Sequence, residues 1–178
     1  MKKSLVIGGI AGLLGLCLCG GVVAGGAALV SGGEDTAADA GNPDTAKGKV
    51  GEAVRDGKFE FTVKSVKCGV DKVGSEFTEE KAQGQFCLVT VKVKNIGDEA
   101  QYFSDSDQKA YDAAGTKYSA DTGAGIYANS DADTFLNQIN PGNQISGVVV
   151  FDIPKDVSLT TVELHDSAFS GGVTVSLG

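Results

Sequence analysis

Cys87-Leu88-Val89-Thr90-Val91-Lys92-Val93 settles the architecture of this chain. Cys87, Val89, Val91 and Val93 fall on one side of an extended backbone, and Leu88, Thr90 and Lys92 on the other, because side chains alternate along a strand. The run stops at Asn95-Ile96-Gly97-Asp98, residues that accept left-handed backbone and so favour a turn. A strand with one apolar side needs a second layer to cover it, so the neighbouring sequence should supply more strands.

It does so in both directions. Upstream, Phe59-Glu60-Phe61-Thr62-Val63-Lys64 alternates in the same way, then slips phase at Ser65, after which Val66 and Cys68 take the apolar role. A slip of one residue predicts a bulge or strand bend. Downstream, residues 108–111 and 116–119 flank Asp112-Ala113-Ala114-Gly115 and read as a hairpin. Residues 134–139 read as a further strand, followed by Asn140-Pro141-Gly142-Asn143, which fits a tight turn. Residues 145–153 form a long strand with the apolar run Val148-Val149-Val150-Phe151, ended by Pro154. Residues 162–165 and 173–177 close the series, and no amphipathic helix of useful length is expected after residue 50. The fold class is all-β: an immunoglobulin-like antiparallel β-sandwich of about 7–9 strands, preceded by an N-terminal hydrophobic helix and a disordered linker.

The chain divides into three. Residues 4–33 contain no charge, Lys2 and Lys3 precede them, and Glu34 and Asp35 follow. This distribution places the bulk of the chain on the far side of a membrane, because basic residues stay on the cytoplasmic side. Residues 1–33 are therefore a signal or membrane-anchor segment, and residues 4–33 the contact with the membrane. The apolar length matches a span, so an uncleaved single-pass anchor is favoured. Cleavage near Val22-Val23-Ala24 and lipidation at Cys17 or Cys19 are the alternatives, although Leu16 and Leu18 stand where a lipidation signal has a small residue. Residues 34–49 are acidic, alanine-rich and without aromatics, the composition of a flexible linker. Residues 50–178 suit one domain. Setting aside Lys2 and Lys3 leaves 13 basic against 23 acidic side chains, a net charge of −10. That charge repels nucleic acid and anionic lipid and keeps a small exported domain soluble.

Cys68 and Cys87 lie at the end of one strand and the start of another, both in phase with the buried face. In an exported domain such a pair is expected to form a disulfide, stabilising by about 3 kcal/mol in the chain-entropy model. The bond would pin an otherwise floppy polar loop over residues 69–85.

Together, Phe59-Glu60-Phe61-Thr62-Val63, Cys68, Phe86 through Gly97, Asp107-Gln108-Lys109 with Tyr111-Asp112, Asn140-Pro141-Gly142 and Val150-Phe151-Asp152-Ile153-Pro154 resemble, in order, the telokin-like family of bacterial surface domains of unknown function. That family is similar in fold to the mycobacterial immunoprotective extracellular antigen. The resemblance spans nearly all of residues 50–178. It implies an immunoglobulin-like sandwich and an exported setting, and it brings no catalytic residues.

Little in the chain suggests chemistry. His165, the lone histidine, is followed by Asp166 and Ser167, but consecutive strand residues point to alternate faces and do not converge as a triad must. No nucleophile elbow, phosphate loop or zinc-protease motif is present. An enzyme is not expected, and neither are a cofactor, a catalytic residue or a metal ligand set. Asp105 with Asp107, and Asn129 with Asp131 and Asp133, have the every-other spacing of calcium loops, yet the glycine and the bidentate acid of an EF-hand are missing downstream. A calcium site in loops at one end of the sandwich is retained as an alternative. Tyr102, Phe103, Tyr111, Tyr118 and Tyr127 gather mid-domain, and Tyr102, Phe103 and Tyr127 are the candidates for partner binding, because tyrosine is enriched where binding energy concentrates. The expected function is a non-catalytic extracytoplasmic module, tethered or secreted, that binds a surface protein or envelope component. The alternative is a structural or antigen-like domain without a specific ligand.

Overall fold

A computed structural model describes residues 47–129 and 135–178. The leader, the linker up to residue 46, and Asp131 and Asp133 lie outside the described residues. Among the described residues nine strands form two sheets. β2 (Ala53–Asp56), β3 (Phe59–Gly74), β4 (Glu79–Asn95) and β7 (Gln144–Ile153) make a four-stranded sheet in that order. β1 (Gly48–Lys49), β9 (Val173–Ser176), β8 (Leu159–Leu164), β5 (Lys109–Asp112) and β6 (Lys117–Ser119) make the other. Every pairing is antiparallel except β1 with β9, where Gly48 lies opposite Val175. Gly48 and Lys49, expected in the linker, are thus already part of a sheet.

The core is built from the predicted alternation. Phe59, Phe61, Val63, Cys87, Val89, Val91, Val93, Val149, Phe151 and Ile153 point inward from one sheet and meet Ala110, Val162, Leu164 and Val175 from the other. Each fully buried large apolar side chain contributes about 1.5–3 kcal/mol, which is what holds the layers together. The phase slip after Val63 is a register shift between Val63 and Ser65 that returns Val66 to the core side.

Three expectations change. Residues 69–85 are no loop: β3 and β4 continue as a two-stranded ribbon past the end of β7, with a turn closed by Ser75 N–H donating to the Thr78 carbonyl at 2.8 Å. Cys68 and Cys87 are disulfide-bonded at the ribbon's root, yet only Cys87 is buried, and Cys68 is exposed. There Cys68 and Gly69 together oppose Cys87, a second bulge that breaks the alternation on β3. In place of the strand expected over residues 134–139, Phe135 to Asn137 turn and only Ile139 pairs, bridging Gln101.

A short helix, α1 (Thr122–Ala128), was not expected. It lies on the outer side of the four-stranded sheet, where Ala124 packs with Val73, Phe86 and Val150. This explains why β7 is apolar on both faces: Val149 and Phe151 meet the main core, and Val148 and Val150 lie in the cluster under α1. Among the described residues no helix is long and apolar enough to cross a membrane.

Candidate functional site

Asn95 organises one end of the sandwich. It is fully buried, and its side-chain amide donates to the Glu99 and Ile139 carbonyls, both at 2.7 Å, while its Oδ1 accepts from Gly97 N–H at 2.8 Å. Its backbone exchanges bonds with Asn143 and Gly142, each 2.9 Å. One side chain therefore ties the segment after β4 to the segment before β7. Beneath them Phe103 fills a buried aromatic cluster, with ring centroids 6.1 Å from Phe59, 5.9 Å from Phe61 and 4.6 Å from Phe135.

The three candidate aromatics do not form one patch. Phe103 is 1% exposed and belongs to the core, while Tyr127 is part of α1 and packs against the small cluster that includes Phe86 and Val150 on the outer sheet face. Of the three, Tyr102 alone stands in solvent at the loop end, 62% exposed. Around it the same end presents residues that the aromatic search passed over: Leu136 at 80% and Phe169 at 98% exposure, with Ile96 partly exposed. Phe169 belongs to the β8–β9 loop, placed at this end by Asp166 N–H, which donates to Asp56 Oδ2 at 2.7 Å beside the β2–β3 turn. The signal for Phe169 was an aromatic between Ala168 and Ser170 with no strand pattern to bury it.

Next to that loop, the outer face of the five-stranded sheet holds a shallow cleft of about 240 Å³ lined by Asp107, Lys109, Tyr111, Lys117, Glu163 and His165. Strand register explains the grouping, since Lys109 pairs with Glu163 and Tyr111 with Lys117. Glu163 is the hub. Its Oε1 lies 2.6 Å from His165 Nε2, and its Oε2 accepts from the Tyr111 hydroxyl at 3.3 Å. Burial, then the Glu163 charge and hydrogen bond, push the Tyr111 hydroxyl up to about 12. The hydrogen bond to Glu163 raises the His165 pKa above its ordinary value, against the opposing effect of burial.

His165 Nδ1 faces the Ser170 carbonyl at 3.3 Å and the Ser170 hydroxyl at 3.4 Å. Glu163, His165 and Ser170 thus line up superficially like a hydrolytic triad, with partners other than the adjacent Asp166 and Ser167. The Ser170 hydroxyl is directed elsewhere: Oγ donates to the Ser167 carbonyl at 3.0 Å and lies 3.4 Å from Nδ1, beyond the close approach of an activated nucleophile. What this arrangement does is hold the ring between a carboxylate and a loop.

The acidic loop residues are placed separately. Asp105 and Asp107 sit in a single turn of 3-10 helix, where burial raises the Asp105 pKa, and Asn129 bonds the edge of β7. Among the described residues no group of three or more histidine, cysteine, aspartate or glutamate side chains is placed to hold a metal ion.

Comparison with known proteins gives a consistent picture. A family model described as a domain of unknown function, DUF4352, matches residues 48–174. An uncharacterised protein, YxkC of Bacillus subtilis, is 32% identical over 114 residues, covering 60% of this chain and 63% of its own length. Among solved structures, the secreted protein MPT63 of Mycobacterium tuberculosis aligns with a TM-score of 0.55 at 20% identity, over 72% of this chain and 95% of its own. The yjhA protein of Bacillus subtilis aligns with a TM-score of 0.54 at 17% identity, over 74% and 99%. At such identities the structural likeness speaks for the fold.

Proposed function

The chain belongs to the DUF4352 family, and from that β-sandwich scaffold and its loop end we propose a non-catalytic, extracytoplasmic recognition module that binds a protein partner. The observation that carries the reading is the loop end itself: Tyr102, Leu136 and Phe169 stand in solvent above a rigid aromatic cluster and an Asn95 clasp. Large apolar side chains held out by an ordered framework lose little entropy on binding and supply the buried centre of an interface. Charge decides the kind of partner. The described loops at this end carry Asp98, Glu99, Asp105, Asp107 and Asp166 against Lys58, and the exported part as a whole is strongly acidic. An anionic bilayer is repelled, whereas a protein surface with an apolar recess and a basic rim is attracted.

Placement outside the cytosol is supported by the uncharged leader behind two lysines and by the Cys68–Cys87 bond, which persists in oxidising compartments. A secreted mycobacterial protein with a similar fold agrees with this. Residues 1–33 would tether or export the domain, and the acidic stretch after them would hold it away from the surface.

Site-specific photo-cross-linking on intact producing cells tests the reading. A photoreactive residue is placed in the full chain at Leu136, at Phe169, or at Phe77, which is 91% exposed on the ribbon tip at the opposite end. The reading expects one and the same protein adduct from Leu136 and Phe169 and none from Phe77. Absence of the loop-end adducts, or an equal adduct from Phe77, contradicts it.

A further inference from the structure

We propose that His165 is a proton latch on the loop that carries Phe169, so that the loop-end surface is firm while the ring is charged and loosens when the ring is neutral. The inference rests on the reading of that end as a binding surface.

The latch follows from hydrogen-bond counting. His165 Nε2 lies 2.6 Å from the Glu163 carboxylate, and Nδ1 lies 3.3 Å from the Ser170 carbonyl. Both facing atoms are acceptors, and only the doubly protonated ring has two N–H groups to give them. A neutral ring leaves one nitrogen lone pair directed at an oxygen. One nearby group can relieve that: the Ser170 hydroxyl, 3.4 Å from Nδ1. That hydroxyl now donates to the Ser167 carbonyl at 3.0 Å, alongside Ser170 N–H, which reaches the same carbonyl at 3.1 Å. Turning the hydroxyl toward the ring removes one of the three bonds that close the turn from Ser167 to Ser170, the third being the long 3.5 Å bond from Ser167 N–H to Ser170 Oγ. Phe169 sits inside this turn and, at 98% exposure, has almost no packing of its own to hold it.

The surroundings keep the switch with His165. Glu163 faces it from its own strand, Lys109 and Tyr111 from β5, Lys117 from β6 and Asp107 from the 3-10 turn. Asp56 approaches from β2 through its bond to Asp166 N–H, and Asp166 itself lies on the loop. Tyr111, held up to about 12, stays protonated throughout the range in which a histidine titrates. Gly172 lies against the imidazole, where a Cβ would come within 2.6 Å of Cε1, so the loop closes directly over the ring.

Because the chain has one histidine, its Cε1–H resonance is unambiguous in the full chain. The latch predicts a single midpoint above the ordinary histidine value, lowered in Glu163→Gln. Across that same midpoint the Phe169 and Ser170 amides should exchange several-fold faster on the alkaline side, after correction for intrinsic rates. In Ser170→Ala the ring should still titrate while the Phe169 amide no longer follows it. Amide exchange in the unaltered protein that stays flat through the His165 transition overturns the latch. Photo-cross-linking from Leu136, performed on both sides of the midpoint, gives a second arm. An adduct several-fold weaker above the midpoint supports the regulation. An adduct of equal strength on both sides overturns it and leaves the binding reading standing. No adduct on either side overturns the binding reading and the regulation together.

Discussion

Adjacent residues at the loop end take opposite roles. Phe103 is sealed in the aromatic cluster and Tyr102 stands in water, although sequence alone gives two neighbouring aromatics of equal promise. Truncating Phe103 to alanine should therefore cost about 3–5 kcal/mol, the range for a buried phenylalanine, with Tyr102→Ala within about 0.5 kcal/mol of the parent. Urea unfolding of the two variants measures both. His165 has a signature of its own. Its pKa is raised in the folded state, so the folded protein holds the proton more tightly than the unfolded chain. The associated stability is fully present below the unfolded histidine value and is lost as pH rises through the folded one. Urea midpoints should fall across that window in the parent, and a His165→Gln variant should lack the step. The His165–Glu163 pairing was legible in principle, since residues two apart share a strand face. Ser170 was not, because only the loop's path returns it to the ring.

Elements repeat the lesson. The alternation in β4 and the first half of β3 was readable because one face meets a core and the other meets water, the condition under which period two appears in sequence. The distal ribbon has no such contrast. It is held by the disulfide at its root and by Val73 and Ala82 packing near α1, so its residues read as a polar loop. Removing the bond by Cys68→Ala with Cys87→Ala should cost about 3 kcal/mol and speed amide exchange first in residues 69–86, which hydrogen-exchange mass spectrometry resolves. Helix α1 escaped notice because Gly123 and Gly125 depress helix propensity over seven residues. The clue was Val148-Val149-Val150-Phe151, an unbroken apolar run that needs cover on both faces. The Asn129 side chain bonds both the N–H and the carbonyl of Val148, each at 2.8 Å, and so blocks part of the outer edge of β7. Asn129→Ala should reopen that edge, costing about 1 kcal/mol and promoting concentration-dependent self-association in analytical ultracentrifugation.

At the scale of the whole molecule the edge strand β7 and the stretch of β3 that runs beyond β2 are guarded in different ways. β7 is covered by α1, and the distal part of β3 is interrupted by three register shifts and studded with Lys64, Lys67 and Lys72. Such features discourage strand addition there. The sandwich was legible from strand pattern and the staple from two cysteines at neighbouring strand ends, although Cys68 does not keep the buried phase expected of it. The composition of the proposed binding end was not, because exposure of Leu136 and Phe169 depends on how loops fold over Asn95, and loop paths leave no period in a sequence. The account stands on this domain being displayed outside the cytosol, and trapping thiols in intact producing cells tests that most directly. With rapid acid quench and alkylation, peptides containing Cys68 and Cys87 should stay unmodified until a reductant is added. Free, alkylated Cys68 and Cys87 in the unreduced sample would contradict it.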